Sequence, residues 1–238
     1  MCALSASCLL DWSLREVPTE AGVDGGSDGP PTVFSCAGAS FCTTFDEANA
    51  LALWTDSFTA AGGELSLLND GTAPSSPKAL FARRPSQSDG ANHAYVTKIF
   101  KEPTTSASLE LMIQPEKVEG NARACVAGIV FRDGLSDERI LRLVVAPGDT
   151  FLQTKSPVAS VPLGQALPAG VWTRVKLAVS VGGDLTVAFN GNQVFTRPVD
   201  PGWPSSTNTR IFAGLNFVEV PNNTPVIVRV DNVRADLR

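Results

Sequence analysis

The chain has 238 residues, 43% of them hydrophobic and 18% charged, with 19 basic against 24 acidic residues and a net charge of −5. That apolar share supports a sizeable core, and the absence of a basic run argues against nucleic acid as a partner. No stretch of about 18 apolar residues is present to span a membrane as a helix.

The acidity sits at the start. Residues 1–35 hold Asp11, Glu16, Glu20, Asp24 and Asp28 against Arg15, a net of −4, so the remainder carries only −1. The run from Ala21 to Pro31 is Gly/Asp/Pro-rich with almost nothing to bury, which predicts an extended flexible linker. The expected division is an N-terminal segment over 1–32 and a domain over 33–238. Leu4-Ser5-Ala6-Ser7-Cys8 resembles the end of a bacterial lipoprotein signal, with Ser5 where an aliphatic residue is usual. A basic leader is missing, so this reading places the true start upstream, with Cys8 carrying lipid as a membrane tether. The alternative is an ordinary cytoplasmic tail. Cys36 and Cys42 flank a short flexible loop that a disulfide would close, worth about 2 kcal/mol. Such a bond implies export to the cell envelope or beyond.

From Leu65 onward, apolar segments alternate with Gly/Pro/Asn/Asp turns. Twelve strands are predicted: Leu65–Leu68, Ala79–Arg84, Ala94–Phe100, Ala107–Gln114, Arg123–Arg132, Arg139–Val145, Thr150–Gln153, Trp172–Val181, Leu185–Phe189, Gln193–Thr196, Ile211–Phe217 and Val226–Arg234. Asp46–Thr55 reads as helical or irregular, and Pro157–Gly170 as a loop. Period two is clearest where Val175, Leu177 and Val179 oppose Arg174, Lys176 and Ser180. Arg123–Phe131 is apolar on both faces, as in mid-sheet. Asn190-Gly191 supplies the positive φ of a tight hairpin turn. Strands without crossover helices imply an all-β, antiparallel two-sheet jelly-roll sandwich.

His93, Tyr95 and Thr97 share one strand face, with the chain's single histidine and single tyrosine together. They are either a ligand-facing row or a polar row on an ordinary sheet surface. Trp203, in a Pro/Gly/Ser loop, is either a ligand contact or a lid on a core edge. Trp54 and Trp172 read as core, and Cys125 as a buried small hydrophobe. One histidine and no Cys-x-x-Cys leave no ordinary zinc site.

The run Gly170-Val171-Trp172-Thr173-Arg174-Val175-Lys176-Leu177-Ala178-Val179, its following hairpin through Asn190-Gly191, and the terminal Val228-Arg229-Val230-Asp231-Asn232-Val233-Arg234 resemble the concanavalin A-like lectin/glucanase superfamily, laminin-G-like domains included. Phe45-Asp46-Glu47 resembles its opening strand. The resemblance spans roughly residues 42–238 and implies a jelly roll whose concave sheet meets sugars. Family 16 hydrolases of that group carry Glu-x-Asp-x-Glu on one strand; no glutamate here begins that pattern. They also hold a structural calcium, and Asp231, with Asp46 as a second candidate, matches its ligand by position. The expected function is therefore a carbohydrate-binding, lectin-like module without catalysis, acting as a monomer that is either secreted or tethered to the cell envelope. The alternatives are a glycan hydrolase or lyase with a non-standard carboxylate pair, and a protein-binding adhesion domain.

Overall fold

The computed structural model describes residues 34–60, 62–86, 93–133, 137–155, 158–200, 203, 205–219 and 224–238. Cys8 and the acidic linker lie outside the described residues.

Eight strands form one antiparallel sheet. In spatial order these are β13 (Asn192–Pro198), β12 (Asp184–Phe189), β11 (Thr173–Ser180), β6 (Ser106–Lys117), β15 (Val226–Leu237), β4 (Lys78–Arg84) and β3 (Glu64–Asn69), with β1 (Phe41–Thr43) also pairing β15. A second antiparallel sheet orders β10 (Ala159–Pro162), β9 (Asp149–Lys155), β8 (Asp137–Ala146), β7 (Ala124–Asp133), β14 (Thr209–Val218), β5 (Ala94–Phe100) and β2 (Asp56–Thr59). Alternation builds the core between them. Leu109, Leu111 and Ile113 of β6 and Val175 and Leu177 of β11 are fully buried in one cluster with Ile129, Phe131, Leu141 and Leu143 of β7 and β8. Each such side chain contributes roughly 1.5–3 kcal/mol by leaving water. The Asn190-Gly191 turn has φ of 51° and 85°, as a type I′ hairpin requires.

The seven-stranded sheet is apolar on both faces. Cys125, Val130, Ile140, Val144 and Phe212 form a separate buried cluster, with Tyr95, Phe151 and Phe217 packed on it. Because these residues alternate with the inter-sheet core, they lie on the sheet's outer side.

Several expectations need correction. The opening strand is Phe41–Thr43, not Phe45-Asp46-Glu47; Phe45 is buried at φ 63°, outside any strand. The Asp46–Thr55 segment agrees with its helical or irregular reading, holding one short 3₁₀ turn, Ala50–Leu53. The presumed loop Pro157–Gly170 contains β10, a sheet edge. Trp172 is half-buried ahead of its strand, its Nε1 donating to Thr72 Oγ1 at 3.4 Å, whereas Trp54 does enter the core. Cys36 and Cys42 form a disulfide with Cα atoms 5.5 Å apart. No helix among the described residues is long and apolar enough to cross a membrane.

Candidate active site

Strand register assembles the site. Asp56 of β2, Thr97 of β5, Phe212 of β14, Gly128 of β7 and Arg142 of β8 follow one another across five neighbouring strands. The adjacent row runs Ile99, Arg210, Val130, Ile140. On the other side Phe58 pairs Tyr95, and Tyr95 pairs Gly214. With Glu138 and Asn216, the side chains of these rows line an open groove of about 200 Å³ on the outer face. It runs across the strands, as a long chain laid over a sheet would.

Two glycines shape its floor. A β-carbon on Gly128 would sit 2.4 Å from the Phe212 ring and 2.5 Å from the Leu141 carbonyl, so the ring lies directly across the bare backbone. Gly214 has φ 105°, and a β-carbon there would meet the Ala94 carbonyl at 2.6 Å. Here β14 breaks register with β7 between Ala213 and Phe217. The bulge re-aims the strand and presents Asn216 to the groove.

His93, Tyr95 and Asn216 converge at this bulge. The Nδ1 of His93 meets the Asn216 carbonyl oxygen. A carbonyl only accepts, so Nδ1 carries a proton and donates it to this bond. The His93 and Tyr95 rings meet edge-on with centroids 5.8 Å apart. Burial pushes the Tyr95 phenol above its usual range, with a contribution from Asp56, against the opposing pull of Arg210 and of a hydrogen bond to the Asn216 side chain. The phenol is thus protonated at neutral pH and able to donate.

Two cations share the groove. Arg210 is half-buried, its Nε donating to Asn208 Oδ1 at 3.3 Å. The Arg142 guanidinium lies 5.2 Å from the Phe217 ring centre, and its buried Nε has no hydrogen-bond partner. Among the described residues neither arginine forms an ion pair with a carboxylate. Glu138 is different: it is bound by Arg132 and by Lys155 at 3.5 Å, and chiefly the Arg132 hydrogen bond holds its carboxyl below the usual range. It cannot serve as a proton donor. Beneath the groove Cys125 is fully buried, its thiol pushed up to about 12 by burial, which leaves it inert.

The expected site residues part company. Tyr95 lines the groove, and His93 stands beside Tyr95 and Asn216. Trp203 does not reach it. It is 4% exposed in the inter-sheet core, edge-on to Phe131 at 6.0 Å, because its large apolar area finds cover there. The ligand contact expected of Trp203 is therefore withdrawn.

Asp231 and Asp46 lie near the loop that follows β3. The Asp231 carboxylate accepts from Ser75 N at 2.7 Å, Ser75 Oγ at 2.7 and 2.9 Å, and Asn232 N at 2.7 Å. Asp46 accepts from Lys78 N at 2.8 Å. Donors thus occupy both Asp231 oxygens and Oδ1 of Asp46. Asn232 Oδ1 is buried without a partner, but that is one neutral oxygen where calcium takes about six to eight. No group of three or more acidic, histidine or cysteine side chains suited to a metal occurs among the described residues. The residues present fit a loop anchor rather than the calcium expected from the resemblance.

Sequence comparison gives no matching family model and no matching curated protein. Structural comparison does. The endo-β-1,4-glucuronan lyase of the fungus Trichoderma reesei superposes with a TM-score of 0.64 over 84% of this chain and 96% of that one, at 14% identity. The chain has the concanavalin A-like jelly-roll fold. The cellulose-induced protein Cip1 gives 0.58 over 74% and 87%, at 16% identity. An alginate lyase of polysaccharide lyase family 7 gives 0.54 over 72% and 82%, at 12% identity. The sequence reading missed Arg142, Arg210, Asn216 and Phe58. Alternation marks Arg142 and Arg210 as outward-facing, but only strand order puts them beside Tyr95.

Proposed function

We propose that this jelly roll is a polysaccharide lyase that cleaves uronate-containing chains by β-elimination. The observation that carries the reading is one groove lined by the protonated Tyr95 phenol and by two arginines without carboxylate partners among the described residues, with the His93 imidazole fixed beside Tyr95 through its Nδ1. The chemistry needs those groups. The proton on C5 of a uronate is acidic only if the neighbouring carboxylate is neutralised, and Arg210 and Arg142 supply fixed positive charge for it. The His93 Nε2 takes that proton, the C5 electron pair forms the C4–C5 double bond, and the C4–O4 bond breaks. The Tyr95 hydroxyl protonates the departing oxygen; solvent then takes the proton from the His93 imidazolium and returns one to the phenolate. Asn216 orients the pair, its carbonyl fixing the imidazole and its side chain holding the phenol.

Hydrolysis fits less well. It asks for two carboxyl groups, one able to donate a proton, flanking the scissile bond. Glu138 is tied to Arg132 and Lys155, and Asp56 stands on the far edge strand. The neighbours named as glucuronan and alginate lyases support the same direction. Action outside the cell is part of the proposal, supported by the Cys36–Cys42 disulfide.

Incubation with polyglucuronate and alginate tests the reading, followed by ultraviolet absorbance of the new conjugated double bond. Absorbance rises with the wild type and falls roughly 100- to 1,000-fold in rate with Arg210→Gln. Binding of these chains with no absorbance change would return the protein to a lectin-like module without catalysis.

A further inference from the structure

The groove carries charged and polar side chains over an apolar floor. Arg210 and Arg142 stand at its centre and on one side, while the opposite rim is β2, an edge strand with all four residues exposed. Asp56 and Phe58 are two apart on that strand, so both project to the groove side. Four strand spacings separate Asp56 from Arg142 in the shared row, about 19 Å, which no single sugar ring bridges.

We infer that β2 forms a subsite for a neutral sugar, so that the substrate is a mixed chain with a uronate at the arginines and an uncharged unit against Phe58 and Asp56. This rests on the uronate-lyase reading and extends it. Phe58 is 40% exposed, yet it is not loose: its ring stacks on Tyr95 with centroids 5.0 Å apart and planes 22° from parallel. Tyr95 is in turn braced edge-on by Phe212 at 6.1 Å. A braced ring with an open side suits the CH face of a pyranose. The Asp56 Oδ1 accepts from Ser57 N at 2.8 Å, leaving Oδ2 to accept from a sugar hydroxyl. The same carboxylate repels a second carboxylate, which disfavours a uronate at this position.

The test titrates the full chain with three defined oligomers: all-glucuronate, alternating glucuronate–glucose, and cello-oligomers. The alternating chain binds roughly 10-fold tighter than the all-glucuronate chain. Asp56→Asn closes most of that gap by strengthening the all-glucuronate complex. Phe58→Ala weakens the alternating chain roughly 10-fold and Phe58→Trp restores it, as expected of a stacking platform. Equal affinity for the two acidic chains, with no response to Asp56→Asn, would overturn the inference. Cello-oligomers read the subsite alone, and their affinity falls in Phe58→Ala. If Arg210→Gln leaves the acidic chains bound as before while that fall persists, the uronate reading fails and the neutral subsite stands. If none of the three binds, both fail.

Discussion

The outer faces of the two sheets are made from similar residue types and do different things. On the eight-stranded sheet, cations meet acids. Arg174 lies 2.5 Å from Glu110, and Arg229 lies 2.8 Å from Asp70 and 2.7 Å from Glu116. Although burial alone would raise it, the Asp70 carboxyl is held low overall by Thr72 and Arg229. On the seven-stranded sheet, Arg142 and Arg210 stand over an apolar floor, and among the described residues neither is ion-paired with an acid, Glu138 being taken by Arg132 and Lys155. A cation whose charge is cancelled within its own sheet holds that sheet together. One left uncancelled over aromatics is available to a ligand, and its desolvation is recovered only when an anion arrives.

The sharpest way to break this contrast is at the proton-transfer pair. His93→Gln keeps a donor toward the Asn216 carbonyl but removes the base, and cleavage of polyglucuronate falls roughly 100- to 10,000-fold, read by absorbance. Unchanged melting in the same variant shows that the loss is chemical.

Gly128→Ala probes the floor instead. The added methyl collides with the Phe212 ring and the Leu141 carbonyl, so overpacking costs about 1–3 kcal/mol and the melting midpoint drops by several degrees. Activity falls with it, because the Phe212 ring braces Tyr95.

The loop anchor predicts a pH dependence. Burial pushes the Asp231 carboxyl up to about 6, against the hydrogen bonds from Ser75 and Asn232. Folding therefore favours its protonated form, and this group's contribution is full below about 4 and lost as pH rises through about 6. The melting midpoint of Asp231→Asn, relative to wild type, shifts upward across that window, while chelator changes neither midpoint. A midpoint difference that stays flat with pH would remove the account of Asp231. The smallest effect belongs to the paired face: Arg174→Gln, at a partly exposed pair, costs at most about 1 kcal/mol and leaves cleavage unchanged.

Strand alternation made much of this legible. His93, Tyr95 and Thr97 share a face by spacing alone, and Leu109, Leu111 and Ile113 face the core by the same rule. Asp56–Thr59 left no such trace: all four residues are exposed, so the edge strand that frames the groove has no apolar period to read. Trp203 sits in a segment rich in turn formers, yet a ring that size finds cover in the core, which only the tertiary fold reveals. Arg142 and Arg229 look alike in sequence. What separates them is the residue on the neighbouring strand, Gly128 for one and an acid-rich surround for the other.

The most direct measurement is the mass of products formed from polyglucuronate in heavy-oxygen water. Elimination breaks C4–O4 without adding water, so the account predicts an unsaturated end one water lighter than a hydrolysis product and free of solvent oxygen. A saturated product carrying one heavy oxygen would contradict it, and would move the chemistry from His93 and Tyr95 to a pair of carboxylates.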